Sequence, residues 1–136
     1  MILVFDSNVW ISALQFSGTP LAALDLATGQ HRIALCEHIL WEVHSALEDR
    51  FSWRPEEVDE ALAEYAPEAF DVQVTGTVRE VCRDRDDDPV IECAIVAGAS
   101  LIVSGDKDLL AVGKFESIRI LTPREFLDEF AAQPKP

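Results

Sequence analysis

The chain opens on an uninterrupted apolar run, Ile2 to Phe5, closed at once by an aspartate, Asp6. Consecutive apolar residues without alternation describe a strand buried on both faces, as in the interior of a parallel sheet. Such a strand leaves no face for water, so the rest of the chain must cover it from both sides. A second run of this kind, LIVS at 101–104, is followed two residues later by Asp106. Two buried strands that each release an acid at their carboxyl end are the strongest constraint in this sequence.

The segments between them read as helices and further strands. Asn8 to Leu14 fits a short helix, and Pro20 opens another, PLAALDLAT, with Gly29 placed to end it. Arg32 to Leu35 is a second strand. From Glu37 to Leu47, the residues Leu40, Val43 and Leu47 recur at helical spacing, while Glu42 projects from a different part of the same helix. Pro55, Glu56 and Glu57 begin a helix striped by Val58, Leu62 and Tyr65. Phe70, Val72 and Val74 alternate as a strand does, and the charged segment RDRDDDP then leads into VIECAIVAGA, a helix with Pro89 in its first turn and Gly98 at its end. Ile118 to Leu121 is a last strand, and Thr122, Pro123 and Glu125 form a capping box for a closing helix. Strands alternating with helices predict an α/β fold with a mostly parallel sheet and helices on both faces.

A chain of 136 residues with 49% apolar content can bury one core, and it reads as one domain over residues 1–132 with a short disordered tail at 133–136. No apolar run reaches the roughly 20 residues of a bilayer span. The start, MILVFDSN, has neither a basic leader nor a small-residue cleavage site, so a cytoplasmic location with no membrane partner is expected. Cys36, Cys82 and Cys93 lack metal-site spacing and read as reduced core thiols. The formal charge of −14 repels nucleic acid unless cations or a local basic patch intervene, and it suits a basic partner.

In open α/β sheets, ligands bind at the carboxyl ends of strands, where Asp6 and Asp106 fall. Carboxylates brought to about 4 Å of one another repel by roughly 4 kcal/mol at an effective dielectric near 20. Protonation, dispersal or a cation must relieve that repulsion, and hard oxygen ligands suit Mg²⁺ or Mn²⁺. Such a site can activate water and stabilise the leaving oxygen of a phosphodiester. Each acid also has a plainer reading: Asp6 and Asp106 as helix N-caps, Glu42 as a solvated helix residue. Glu92 and Asp108 are weaker candidates for metal or water contact, with surface or pairing roles favoured. Ser7, Asn8 and Ser104 border the acids and can orient them or serve ordinary turn chemistry.

His38 and His44 stand six apart, which does not align them as a zinc pair on one helix face. Trp10, Trp41 and Trp53 have the rings to stack on bases, but core or interface roles are favoured. Arg83, Arg85, Lys107 and Lys114 flank the acidic segments and can either follow a phosphate backbone or simply face solvent.

Taken in order, FDSNVWISAL, the Glu42 helix, RDRDDDPVIECAIVAGA and LIVSGDKDLL resemble the PIN domain, and more narrowly the VapC-like toxins of type II toxin-antitoxin pairs, over nearly the whole chain. The resemblance implies a single PIN-like domain and Mg²⁺- or Mn²⁺-dependent endoribonuclease activity on RNA. It also implies a homodimer and a cognate antitoxin. It carries the family's acids onto Asp6, Glu42, Asp87 and Asp106 as catalytic and metal-binding residues. In the mid-chain triplet the family register favours Asp87, with Asp88 the alternate, readable also as a helix N-cap, and Asp86 the third choice.

Two other magnesium proteins fit less well. A phosphorelay receiver requires an aspartate where Val74, Thr75 and Gly76 stand and a lysine where Thr122 precedes Pro123, and a dehalogenase-like phosphatase requires an acid where Asn8 stands. A non-catalytic RNA- or antitoxin-binding module and a DNA-directed nuclease are the remaining alternatives, since no 2′-hydroxyl reader can be identified. A basic or aromatic antitoxin tail lying in the acidic groove would exclude metal and substrate together.

Overall fold

The computed structural model describes residues 1–65, 70–73, 76 and 87–131. In chain order the elements are β1 (Ile2–Phe5), α1 (Ser7–Phe16), α2 (Gly18–Gln30), β2 (Arg32–Cys36), α3 (Glu37–Phe51), α4 (Pro55–Tyr65), β3 (Phe70–Val72), α5 (Asp88–Ala97), β4 (Leu101–Val103), α6 (Lys107–Val112), β5 (Lys114–Phe115), β6 (Ile118–Leu121) and α7 (Pro123–Phe130). The sheet order is β3-β2-β1-β4-β6-β5. All pairings are parallel except β5 with β6. This is not the 2-1-3-4-5 order of the receiver domain.

Strand β1 lies at the centre, with β2 on one side and β4 on the other. The chain leaves β1 in one direction and returns through α5 to its other side, so the carboxyl ends of β1 and β4 flank a topological switch point. Leu3, Val4 and Phe5 are inaccessible to solvent, as the unbroken apolar run requires. Right-handed crossovers place α1 to α4 on one face and α5 on the other. Helices α1, α2, α3, α4 and α7 accordingly pack in a connected layer, while α5 lies against β1 to β4. Phe5 meets Trp10 and Phe126 edge-on, at centroid distances of 6.3 and 6.2 Å, which locks β1 to α1 and α7.

The capping box forms as expected: Thr122 Oγ1 accepts from the Glu125 amide and Glu125 Oε1 from the Thr122 amide. The stripe of α3 is Ile39, Val43, Ala46 and Leu47, with Leu40 only partly buried, so the core face is displaced by one residue from the expected one. Helix α2 differs more. It begins at Gly18, ahead of Pro20, and runs through Gly29 to Gln30, because the Arg32 amide must reach the Met1 carbonyl to begin β2 and the last turn fills the remaining distance. Gly29 is therefore a helix residue, whereas Gly98, at φ 70°, does end α5 in the left-handed conformation. Strand β5 and helix α6 had no periodic signal to announce them, at two and six residues. Cys36 and Cys93 are free thiols in the core, and their sulfurs share a hydrogen bond. Cys82, Val74, Thr75 and the tail at 133–136 lie outside the described residues.

The two glycines give opposite outcomes for one substitution. A Cβ at either position meets nothing within 4 Å, so only the backbone conformation decides. Gly29→Ala is expected to stabilise the fold by about 0.5–1 kcal/mol, and Gly98→Ala to destabilise it by about 1 kcal/mol, both read from urea denaturation midpoints.

Candidate functional site

The carboxyl end of β1 delivers Asp6 into the interior, where it is 3% exposed. Its backbone amide completes the sheet by donating to Val103 O at 2.9 Å. Its carboxylate caps α1, with Oδ1 accepting from the Ser7 amide at 2.8 Å, while Oδ2 accepts from Ser104 Oγ at 2.8 Å. The same Ser104 oxygen accepts the Asp106 amide at 2.9 Å. One fully buried hydroxyl thus fixes the acids at the ends of β1 and β4 relative to each other.

Glu42 reaches the same place from α3. Its Oε1 accepts from Ser7 Oγ at 3.0 Å and lies 3.1 Å from His38 Nε2. Ser7 joins Glu42 to Asp6 as Ser104 joins Asp6 to Asp106. Asn8, on the next residue, is exposed and contributes no comparable bond. Asp106 caps α6 through Oδ1, which accepts from the Asp108 amide at 2.7 Å. The N-cap readings of Asp6 and Asp106 are therefore correct, and they coexist with convergence: the caps hold the carboxylates still.

Asp87, Asp106 and Asp108 each offer an oxygen, and these oxygens lie within 4.8 Å of one another. The residue at the N-cap position of α5 is Asp87, and its side chain makes no capping bond. Asp88 is the first residue of the helix, and Pro89 follows as the second, so the reading of Asp88 as N-cap is corrected. Both aspartates are buried. Glu92, one turn on, is 1% exposed, which excludes the surface role and leaves pairing, of the two roles favoured for it. Asp86, Arg83 and Arg85 lie outside the described residues. Lys107 and Lys114 are exposed. Asp108 enters the cluster because α6 turns its first residues back towards α5.

The electrostatics follow from this crowding. Burial raises the Asp6 carboxyl above its ordinary value near 3.8, the bonds from Ser104 and Ser7 oppose the rise, and the charges of Glu42 and Asp106 add to it. Glu42 moves the other way, chiefly because His38 bonds to its ionised form. The spacing of six to His44 excludes a zinc pair, and it is the spacing of four that brings His38 to Glu42. His44 instead bridges Glu48 and Asp59, at 2.9 and 2.8 Å.

The chain matches the model of the PIN domain over residues 2–108. It belongs to the PIN domain family. No curated protein matches the chain at a significant level. Among solved structures, the crystal structure of VapBC2 from Rickettsia felis, bound to a DNA fragment from its promoter, contains a chain similar to this one. That match has a TM-score of 0.62 and 14% identity, covering 88% of this chain and 97% of the other. At that identity the likeness establishes the fold alone.

The set of donors fits a divalent cation. Oxygens at the separations seen among Asp87, Asp106 and Asp108 repel by about 3 kcal/mol per ionised pair, and carboxylates alone are the ligand set that hard cations prefer.

The raised Asp6 carboxyl yields a signed prediction for the metal-free protein. An acid whose folded pKa lies above its unfolded one holds its proton longer in the folded state, so stability falls as pH rises through that window. The loss is complete above the folded pKa and absent below the unfolded value. Asp6→Asn is thus expected to raise Tm at pH 7, with the gain shrinking to zero as pH falls towards 4; a gain constant with pH would refute burial of the charge as its cause.

Proposed function

We propose that this chain is a Mg²⁺- or Mn²⁺-dependent endoribonuclease and the toxin of a toxin-antitoxin pair. The observation that carries the reading is the convergence of Asp87, Asp106 and Asp108 beside Asp6 and Glu42 at the switch point of a PIN-family sheet.

In this reading Asp87 and Asp106 hold the cation with Asp6, and Asp108 and Glu42 complete the acidic wall. When bound, the metal neutralises the crowded carboxylates, polarises the scissile phosphodiester and lowers the pKa of an attacking water. The chain's own part is positioning. Ser104 keeps Asp6 and Asp106 in fixed register, and the two N-caps remove rotamer freedom that would otherwise be lost on binding. His38 favours the ionised form of Glu42, which suits this acid to accepting hydrogen bonds. Burial raises the Asp6 carboxyl, a cost to its ionised form that a bound cation would offset.

Net charge opposes binding of RNA, so local cations must serve the backbone, and Lys107 beside the cluster is placed for that. The same negative field favours a basic antitoxin. VapBC2 is a toxin-antitoxin complex, and the likeness of fold supports a comparable partner for this chain, while its pairing with a second copy of itself rests on the family resemblance alone.

The deciding experiment is cleavage of single-stranded RNA, tRNA and the matching DNA strands. With Mn²⁺ the expected result is cuts in RNA that vanish with chelator and fall at least 100-fold in Asp106→Asn and Asp87→Asn. Cuts confined to DNA would overturn the substrate assignment, and RNA retention without metal-dependent cuts would make the chain a binding module.

A further inference from the structure

Beside the carboxylates lies an open pocket of about 530 Å³ among the described residues, at the edge formed by α3, β3 and the start of α5. Its volume is in the range of sites that bind small ligands. We propose that this pocket is a nucleobase subsite, which seats the base of a nucleotide flanking the cut and prefers bases that carry an exocyclic amino group. The inference rests on the nuclease reading for its setting, and its own support is the lining of the pocket.

Trp41 is 67% exposed although it is the largest side-chain type in the chain, and its indole stands on the pocket wall. The other tryptophans are otherwise engaged: Trp10 is fully buried against Phe5, and Trp53 donates Nε1 to Gln15 Oε1 at 2.7 Å. Val72 and Pro89 supply further apolar wall, so a flat ring has surfaces to lie on. Glu37, His38 and Gln73 supply the polar part. A carboxylate accepts from the amino group of adenine, cytosine or guanine and has no matching donor group on the uracil ring outside its single imide N–H. The described lining thus offers a carboxylate, an imidazole and an amide, the groups that pair with a base edge.

Two walls are continuous with the acidic site. His38 borders the pocket and stands 3.1 Å from Glu42 Oε1, and Pro89 stands two residues from Asp87. A base seated on Trp41 would therefore hold its strand beside the clustered aspartates. Stacking on an aromatic residue contributes about 1–3 kcal/mol per base, or roughly 5- to 150-fold in affinity.

The test uses the full chain and two readouts. First, adenosine, cytidine, guanosine and uridine are titrated into metal-free protein while the three tryptophan indole N–H resonances are followed by NMR, with Trp41 assigned from Trp41→Phe. The expected result is a saturable shift of the Trp41 signal alone, larger for the three amino-bearing nucleosides than for uridine. Second, randomised RNA is cut with Mn²⁺ by the wild type, Trp41→Ala and Trp41→Phe. Trp41→Ala should raise KM by 10-fold or more with kcat within about 3-fold, and erase nucleotide preference at one position beside the cut, while Trp41→Phe restores most of both.

A moving Trp41 signal without any metal-dependent cutting leaves the subsite standing and removes the nuclease reading. Cutting by the wild type with a silent Trp41 signal and unchanged kinetics in Trp41→Ala overturns the subsite and keeps the nuclease. If Trp41→Ala alters only the oligomeric state, measured by light scattering, the face is a protein interface and the proposal fails.

Discussion

A hydroxyl group, that of Ser104, holds the arrangement together. It donates to Asp6 at the end of β1 and accepts from the amide of Asp106 beyond the end of β4, so two neighbouring parallel strands are coupled through the acids they carry. Parallel pairing of Phe5 with Val103 sets the register in which this becomes possible. A slip of one residue would turn Asp6 to the other face of the sheet and lose the bond. Everything else at the site is arranged around this pair: Ser7 and Glu42 extend it towards α3, and Asp87 and Asp108 face it from α5 and α6.

Such a cluster is costly to the fold. Asp6, Asp87, Asp88 and Glu92 are all nearly inaccessible to solvent, in a chain already carrying a charge of −14. Buried charge is tolerated where it is bonded or neutralised. The serine bonds and helix caps do part of this, and burial of Asp6 still raises its carboxyl. The remaining strain is what a divalent cation would relieve, which makes the account one of linkage between metal binding and stability.

Much of this is legible in the sequence alone. Unbroken ILVF and LIV marked the central strands because burial on both faces removes alternation, and the acids that follow them fell at the switch point that such sheets form. The capping box at Thr122 was legible because its chemistry is local. Gly29 misled because the end of α2 is set by where β2 must begin, a long-range demand that a local glycine signal does not contain. Asp108 and His38 carry little local signal for a related reason. Whether Asp108 faces Asp87 depends on how α6 turns after β4, and a helical histidine at spacing four from an acid pairs with it only where the two rotamers meet, as those of His38 and Glu42 do. Trp41, alike in sequence to Trp10 and Trp53, could be told apart from them only by its exposure.

The most direct test of the central claim is calorimetric titration of Mn²⁺ into the wild-type chain and into Asp87→Asn and Asp106→Asn at equal pH and ionic strength. The account requires saturable binding by the wild type, weakened at least 10-fold in both variants while their folds persist by circular dichroism. Equal affinity in all three, or no saturable binding by the wild type, would contradict a divalent centre built from these carboxylates.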